Sequence, residues 1–230
     1  MRRYWYLAIA AVIAGALGAL PLTAFAASGI LTVGSTGGSA VAHNDVLTGT
    51  LSGNAVFTNT ANSGQKVTCT SSTIQATDDT NPVPTGTATL NTSSQTFGGC
   101  SISGVFGASN PTVTTNASAG CPWATSIDDT TNPAIATITK SSVAGCSDIL
   151  ATVHLTVFGF GITCTYSPNN GTIKASAPLG SSSGLTFPPS GTTDTFSKVS
   201  GPGTCFGSAN FTGVYTFTDD NQGGGAVFVN

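Results

Sequence analysis

The chain lacks the residues from which helices are usually built. It contains no glutamate, its two arginines are Arg2 and Arg3, and its single methionine is Met1. Glu, Arg and Met are strong helix formers, whereas Thr and Val favour strands and Gly, Asn and Pro favour turns. Because the second group dominates the chain, the sequence predicts an all-β protein.

Charged residues are unusually few. They make up 7% of the chain, against roughly 25% in an ordinary globular protein. From residue 27 onward, four lysines stand against nine acidic residues, all of them aspartates, which gives a formal charge of −5. Nucleic acid is therefore excluded as the main partner, because no basic patch could neutralise its phosphates. Intrinsic disorder is the other interpretation of such a Ser-, Thr- and Gly-rich chain, but the apolar clusters and six cysteines argue against it.

Residues 1–26 have the features of a secretory signal peptide. Arg2 and Arg3 precede an apolar stretch at 7–22, and Ala24-Phe25-Ala26 supplies a small-x-small cleavage pattern. The stretch is short for a membrane span, so we expect cleavage and a secreted protein, extracellular or at the cell surface, with no span after cleavage. An uncleaved N-terminal anchor is the alternative. Both the general secretory route and twin-arginine export remain open.

Six cysteines follow the signal, and an even number in an exported chain indicates a disulfide framework. They are Cys69, Cys100, Cys121, Cys146, Cys164 and Cys205. Metal binding is the rival interpretation, but the chain has no C-x-x-C, and neither His43 nor His154 lies near a cysteine pair. Six cysteines allow fifteen pairings, of which the simplest joins each cysteine to the next one along the chain. Each such bridge would contribute roughly 3.5–4 kcal/mol in the chain-entropy model.

Two parts of the chain are similar to each other, which indicates an internal duplication. VTCT at 67–70 recurs as ITCT at 162–165, and TIQAT at 73–77 recurs as TIKAS at 172–176, in the same order. Two apolar segments around a polar turn, bracketed by Cys121 and Cys146, predict a hairpin between the copies.

Residues 27–230 are therefore expected to form a single antiparallel β sandwich with two pseudo-repeats. The half-repeats span about 45–106 and about 147–218, with the inserted hairpin at about 111–146. Alternating apolar residues and turn residues predict strands at 46–57, 66–76, 87–96, 101–106, 123–127, 134–139, 149–158, 162–166, 172–177, 185–187 and 211–218.

No convincing catalytic constellation is present. Residues 180–184 match the hydrolase motif G-x-S-x-G, but no His follows Ser182 and no helix is expected there. Aspartate pairs at 78–79, 128–129 and 219–220 fall at predicted turns and could bind Ca²⁺, although none has the spacing of a known calcium loop. We therefore predict no catalytic, cofactor-binding or metal-binding residue, with calcium at these pairs as the alternative.

Trp123 is expected to pack in the core beside Cys121, with sugar stacking as the alternative. The signal, the VTCT-type strands and the closing GAVFVN at 225–230 resemble small secreted Thr/Ser/Gly-rich β proteins of actinobacteria. The resemblance implies a secreted protein without an assigned activity and carries no functional residue. A non-enzymatic structural or binding protein is the predicted function, with a surface protein or a glycan as its possible partner. A secreted hydrolase acting on glycans through Asp residues is the alternative.

Overall fold

The computed structural model describes residues 29–182 and 184–230, so the predicted signal peptide at 1–26 lies outside the described residues. All regular structure in those two ranges is β, which confirms the all-β prediction. No helix in them is long and apolar enough to cross a membrane. The strands are β1 (Leu31–Val33), β2 (Ser39–Ala40), β3 (Val46–Leu51), β4 (Ala55–Asn59), β5 (Lys66–Thr80), β6 (Thr87–Ser103), β7 (Ala108–Thr115), β8 (Trp123–Asp128), β9 (Ala134–Thr139), β10 (Ala151–Val157), β11 (Phe160–Pro168), β12 (Thr172–Ala177), β13 (Leu185–Phe187), β14 (Asp194–Ser200), β15 (Ser208–Asp219) and β16 (Gly225–Val229).

Three long strands give the molecule its long axis. β5 has 15 residues, β6 has 17 and β15 has 12, so β5 alone spans roughly 50 Å at about 3.3 Å per residue. β5 and β6 are antiparallel, with Lys66 opposite Ser103 at one end and Asp78 opposite Leu90 near the other. β15 joins them through β3 and β4, both of which pair with β5.

Hydrogen bonding closes two rings of antiparallel strands on these three. The first ring runs β3, β5, β6, β8, β9, β12, β13, β15 and back to β3. The second ring runs β4, β5, β6, β7, β10, β11, β14, β15 and back to β4. Because β5, β6 and β15 belong to both, the rings follow one another along the shared strands.

Residues 29–45 and β16 pack against the far end of the first ring. β1 pairs with β16, which pairs with the end of β15. Ile30 and Leu31 are buried there. The side chain of Asn81 holds this segment in place, since its Oδ1 accepts the Leu31 N–H at 2.8 Å and its Nδ2 donates to the Val41 carbonyl at 2.9 Å.

The core fills the inside of the rings, because alternate residues of each strand face inward. In β10, Val153, Leu155 and Val157 are buried while His154 is exposed, as the alternation predicts. The second ring holds a cluster of aromatic rings in contact, with centroid distances from 4.9 to 6.5 Å, formed by Phe57, Phe97, Phe196 and Phe211.

The structure pairs each cysteine with the next one along the chain: Cys69–Cys100, Cys121–Cys146 and Cys164–Cys205. The first bridge joins the opposed residues of β5 and β6, and the third ties β11 to the loop before β15. The disulfide framework is thus confirmed, and three disulfides indicate an oxidising compartment such as the cell exterior.

The predicted strands agree with the structure where the alternation is regular. The hairpin is present, because β8 and β9 pair with Ala124 opposite Thr139. The predicted strand at 46–57 is divided into β3 and β4 at Gly53, whose φ is +89°. The predicted strand at 87–96 and the first part of the one at 101–106 form the single strand β6, which ends at Ser103, and β1, β2, β7, β14 and β16 were not predicted. The sandwich layering, the duplication and the domain limits stay predictions.

Candidate functional site

Most of the carboxylates lie together at one end of the molecule, which we call the acidic end. It includes all three predicted pairs, because Asp78, Asp128 and Asp219 belong to strand ends at the same end of the shared frame. Seven of the nine aspartates are here: Asp45, Asp78, Asp79, Asp128, Asp129, Asp219 and Asp220.

The interpretation of the aspartate pairs as exposed turn residues was wrong for one member of each pair, because Asp78, Asp129 and Asp219 are buried. Asp78 lies within β5 and Asp219 is the last residue of β15; their exposed fractions are 1% and 0%. Asp78 is buried because it continues the inward-facing series of Ile74 and Ala76 along β5.

The buried carboxylates are unequally satisfied. Neither oxygen of Asp78 has a hydrogen-bond partner in the described part of the chain. Asp219 accepts the backbone N–H groups of Asn221 and Gln222 through Oδ1, at 2.9 and 3.0 Å. The side-chain amide of Gln222 donates to Oδ2 of Asp45 at 3.1 Å. Asp219 and Asp45 are therefore linked through Gln222, whereas the Asp78 carboxyl has no hydrogen-bond partner among the described residues.

Because their environments differ, the carboxyl groups of Asp45, Asp78 and Asp219 differ in pKa. Burial raises the pKa of Asp78 to about 6, the nearby His43 opposes the rise, and the carboxylates of Asp45 and Asp219 add to it. Burial also raises the pKa of Asp219, as does the neighbouring Asp45. Burial acts to raise the pKa of Asp45, but the hydrogen bond from Gln222 lowers it. The pKa of Asp45 therefore lies below its ordinary value. Asp78 and Asp219 thus favour the neutral form more strongly than an exposed aspartate does.

A pair of carboxyls with separated pKa values is the arrangement that acid–base catalysis uses. Such a group must reach the substrate directly or through a water, whereas Asp78 and Asp219 are closed off from solvent. Asp129 is also buried and is engaged by the Gly86 N–H, 2.6 Å from its Oδ1. Across residues 29–182 and 184–230, no group of three or more His, Cys, Asp or Glu side chains is arranged to hold a metal ion.

The two other candidates from the sequence are the G-x-S-x-G segment at 180–184 and Trp123. The segment 180–184 connects β12 to β13, so a strand follows it in place of the helix that a nucleophile elbow requires. Trp123 is 3% exposed, and its indole N–H donates to Oδ1 of Asn116 at 3.2 Å. It packs in the core, as predicted, and its faces are closed to a sugar.

The opposite end of the molecule carries an exposed aromatic cluster that the sequence analysis did not single out. We call it the phenylalanine tip: Phe106, Phe158 and Phe160, which are 88%, 63% and 75% exposed. Phe106 lies in the turn between β6 and β7, Phe158 lies in the turn between β10 and β11, and Phe160 is the first residue of β11. The rings of Phe106 and Phe158 contact edge to face, with centroids 5.5 Å apart and planes at 64°.

The turn that presents Phe158 does so at a conformational cost. Val157 and Phe160 are paired, so Phe158 and Gly159 form a two-residue hairpin turn with φ of +50° and +83°. Positive φ at both positions is the pattern of a type I′ turn, which favours Asn-Gly. A bulky side chain rarely adopts positive φ, and the left-handed conformation costs about 1–2 kcal/mol. Phe158 is therefore not the residue that turn stability alone would select.

The two turns of the tip are joined to each other. The N–H of Phe158 donates to the carbonyl oxygen of Gly107 at 2.9 Å, and the N–H of Ala108 closes the other turn on the carbonyl of Val105 at 3.2 Å. Gly107 has φ +74°, and a Cβ there would lie 2.5 Å from the ring of Phe158. A glycine is thus required at this position both for the turn and for the ring contact.

A narrow apolar crevice lies inside the second ring. It encloses about 510 Å³ of space between atoms, including the part open to solvent. Its walls include Val105 from the turn that carries Phe106, and Ile102 and Leu155 from the adjoining strands.

Comparison with protein-family models, with curated proteins and with solved structures finds no match for the chain. The phenylalanine tip was missed because phenylalanines in strands are usually buried. The available signal was the Phe158-Gly159 pair between two alternating segments, which fits a two-residue turn.

Proposed function

We propose that this chain is a secreted, non-enzymatic binding protein that acts at or outside the cell surface, and that the phenylalanine tip is its binding surface. The observation that carries the proposal is the exposure of Phe106, Phe158 and Phe160 on two joined turns. Single exposed apolar residues are normal on any protein, whereas a contiguous apolar patch marks an interaction site.

The energetics support a binding role for the tip. Fully burying a phenylalanine side chain contributes roughly 1.5–3 kcal/mol, so three of them supply a sizeable part of the free energy of a micromolar complex. The hydrogen bond between Phe158 and Gly107 fixes the two turns before any partner arrives. Such preorganisation reduces the entropy lost on association.

The alternative, a secreted hydrolase acting on glycans through aspartates, has less support. The aspartates whose pKa burial raises, Asp78, Asp194 and Asp219, are all buried. The glycan partner expected for a binding protein also has less support at the tip. A sugar stacks on a flat aromatic face, whereas the rings of Phe106 and Phe158 stand at 64° to each other.

Binding of the exported, oxidised protein to cells of its own host would test this proposal. A fluorophore is coupled to the N-terminal residue, because Ile30 bonds to Pro82 at the acidic end, far from the tip. We expect wild-type protein to bind and the variant Phe106→Ser/Phe158→Asn/Phe160→Thr to lose at least about tenfold in affinity. Asn suits the turn at 158, and Thr suits the first residue of β11.

The matched control is Val83→Ser/Val143→Ser, which removes two exposed apolar side chains elsewhere; they are 55% and 50% exposed. This control should bind like the wild type. Equal binding by the tip variant and the wild type would reject the tip as the binding surface.

A further inference from the structure

The tip differs in charge from the rest of the molecule. Lys66 is exposed as the first residue of β5, opposite Ser103, which immediately precedes the turn of Phe106. Lys198 lies farther from the tip, on β14 opposite Tyr166 of β11, about 20 Å along that strand from Phe160, and its Nζ donates to the carbonyl of Pro202 at 3.2 Å. The turns at 104–107 and 158–159 and the loop at 201–207 contain no acidic residue.

The aspartates do not offset Lys66. Seven of the nine lie at the acidic end, more than about 30 Å from Lys66 along β5. The Debye length at physiological ionic strength is about 8 Å, so charges separated by that distance are screened from one another. Although the chain from residue 27 has a formal charge of −5, the neighbourhood of the phenylalanine tip is locally positive.

The shape of the tip suits a soft apolar layer. Its aromatic side chains project from turns as a convex knob. The N–H groups of Phe158 and Ala108 are already bonded to backbone carbonyls, so they can leave water without losing a partner. Backbone groups that enter an apolar phase must be satisfied in this way. Apolar rings beside lysines are also the composition by which peripheral proteins insert at the boundary between headgroups and acyl chains.

We propose that the phenylalanine tip inserts into the surface of a phospholipid bilayer that contains anionic lipids, with Lys66 contacting the headgroups. This inference rests on the proposed function, since it names the partner of the same surface. Phe106, Phe158 and Phe160 enter the interfacial layer while the acidic end stays in water, so the long axis of the molecule stands away from the membrane. The attachment is reversible, because three rings and one lysine fall well short of a spanning segment.

Co-sedimentation with vesicles tests the inference. The exported, oxidised protein is mixed with vesicles of phosphatidylcholine alone and of phosphatidylcholine containing phosphatidylglycerol. We expect it to bind the anionic vesicles, and Phe106→Ser/Phe158→Asn/Phe160→Thr to weaken that binding at least about tenfold. Lys66→Gln should weaken it about fivefold, and salt should weaken it further. Val83→Ser/Val143→Ser should bind like the wild type.

A second measurement reports insertion directly. Phe106→Trp places an indole at the most exposed position of the tip. Its fluorescence should shift to shorter wavelength and be quenched by brominated lipid when anionic vesicles are added, whereas the wild type, whose Trp123 is buried, should not respond.

The outcomes separate the two proposals. Failure to bind either kind of vesicle, or equal binding by the tip variant, overturns the bilayer as partner. If tip-dependent binding to cells persists in that case, the binding function stands and the partner is another molecule. Equal binding of both kinds of vesicle overturns the role given to Lys66 and to anionic lipid.

Discussion

The backbone N–H of Phe158 donates a 2.9 Å hydrogen bond to the carbonyl oxygen of Gly107 and joins the turn between β10 and β11 to the turn between β6 and β7. Two segments far apart in sequence thus form one rigid end of the molecule. The bond uses only backbone atoms, so the side chain at 158 can be changed without removing it.

The first prediction concerns that side chain. Phe158→Asn should leave the free energy of unfolding within about 1 kcal/mol of wild type, because the gain from a residue suited to positive φ offsets the lost ring contact. Phe158→Val should be less stable than the Asn variant, since a β-branched residue is strained at positive φ. Urea unfolding followed by the fluorescence of Trp123 measures both. A loss above about 2 kcal/mol in the Asn variant would mean that Phe158 serves the fold.

The second prediction concerns the buried carboxyl of Asp78. Its pKa is about 6 in the folded chain and roughly 3.9 when unfolded. The favourable contribution of the protonated form is therefore fully present below about pH 4 and is lost as pH rises through 6. At pH 8, Asp78→Asn should raise the free energy of unfolding by about 2–3 kcal/mol. At pH 4 the gain should vanish.

Asp79→Asn is the matched control, because Asp79 neighbours Asp78 on β5 but faces solvent. Its effect should stay within about 0.5 kcal/mol at both pH values. A gain from Asp78→Asn that persisted unchanged at pH 4 would contradict the titration of this carboxyl.

The third prediction concerns the disulfides. Non-reducing peptide mapping should recover only the links Cys69–Cys100, Cys121–Cys146 and Cys164–Cys205. Replacing Cys164 and Cys205 by Ala removes a bridge with a sequence separation of 41 and should cost about 4 kcal/mol in the chain-entropy model. Replacing Cys121 and Cys146 should cost less, because their separation is 25 and they are less buried. The reverse order would contradict the prediction.

The fourth prediction concerns Asn116, whose amide joins three segments. Its Oδ1 accepts the indole N–H of Trp123 and the backbone N–H of Leu150, at 3.2 and 2.8 Å, and its Nδ2 donates to the carbonyl of Asp148 at 2.8 Å. Asn116→Ala should lower the free energy of unfolding by about 2–3 kcal/mol, because partly buried donors lose their acceptor.

Ser147→Ala provides the comparison for this residue. The hydroxyl of Ser147 is a single exposed partner of the Asn116 amide at 2.9 Å, so its loss should cost less than about 0.5 kcal/mol. The two variants are compared by urea unfolding and by the emission wavelength of Trp123. Similar stabilities for both variants would show that the Asn116 amide contributes no more to the fold than the single exposed hydroxyl of Ser147 does.

Sequence patterns predicted the strands where the alternation was regular. Val153, Leu155 and Val157 face inward and His154 faces solvent, because a half-buried strand repeats every two residues. The same period, continued from Ile74 and Ala76, places Asp78 inside. It was overlooked because an aspartate is normally a turn residue.

Ring closure could not be predicted in this way. The pairings of β15 with β3 and β4 join distant parts of the chain, and alternation within a strand does not specify its neighbours. The acidic end and the phenylalanine tip both depend on these pairings, so each brings together residues that the sequence presents separately. The acidic end and the phenylalanine tip lie at opposite ends of the shared strands β5, β6 and β15, and this follows only from how the strands pair.

That frame also governs the order of folding. Both rings need β15 for closure, since it pairs with β3 and β13 in the first ring and with β4 and β14 in the second. The pairs of β15 with β3 and β4 are far apart in sequence and form slowly, because the entropy of closing long loops is lost before the contacts form. A nascent chain that has not yet released residues 208–219 cannot complete either ring, so the native state is reached only after β15 has emerged.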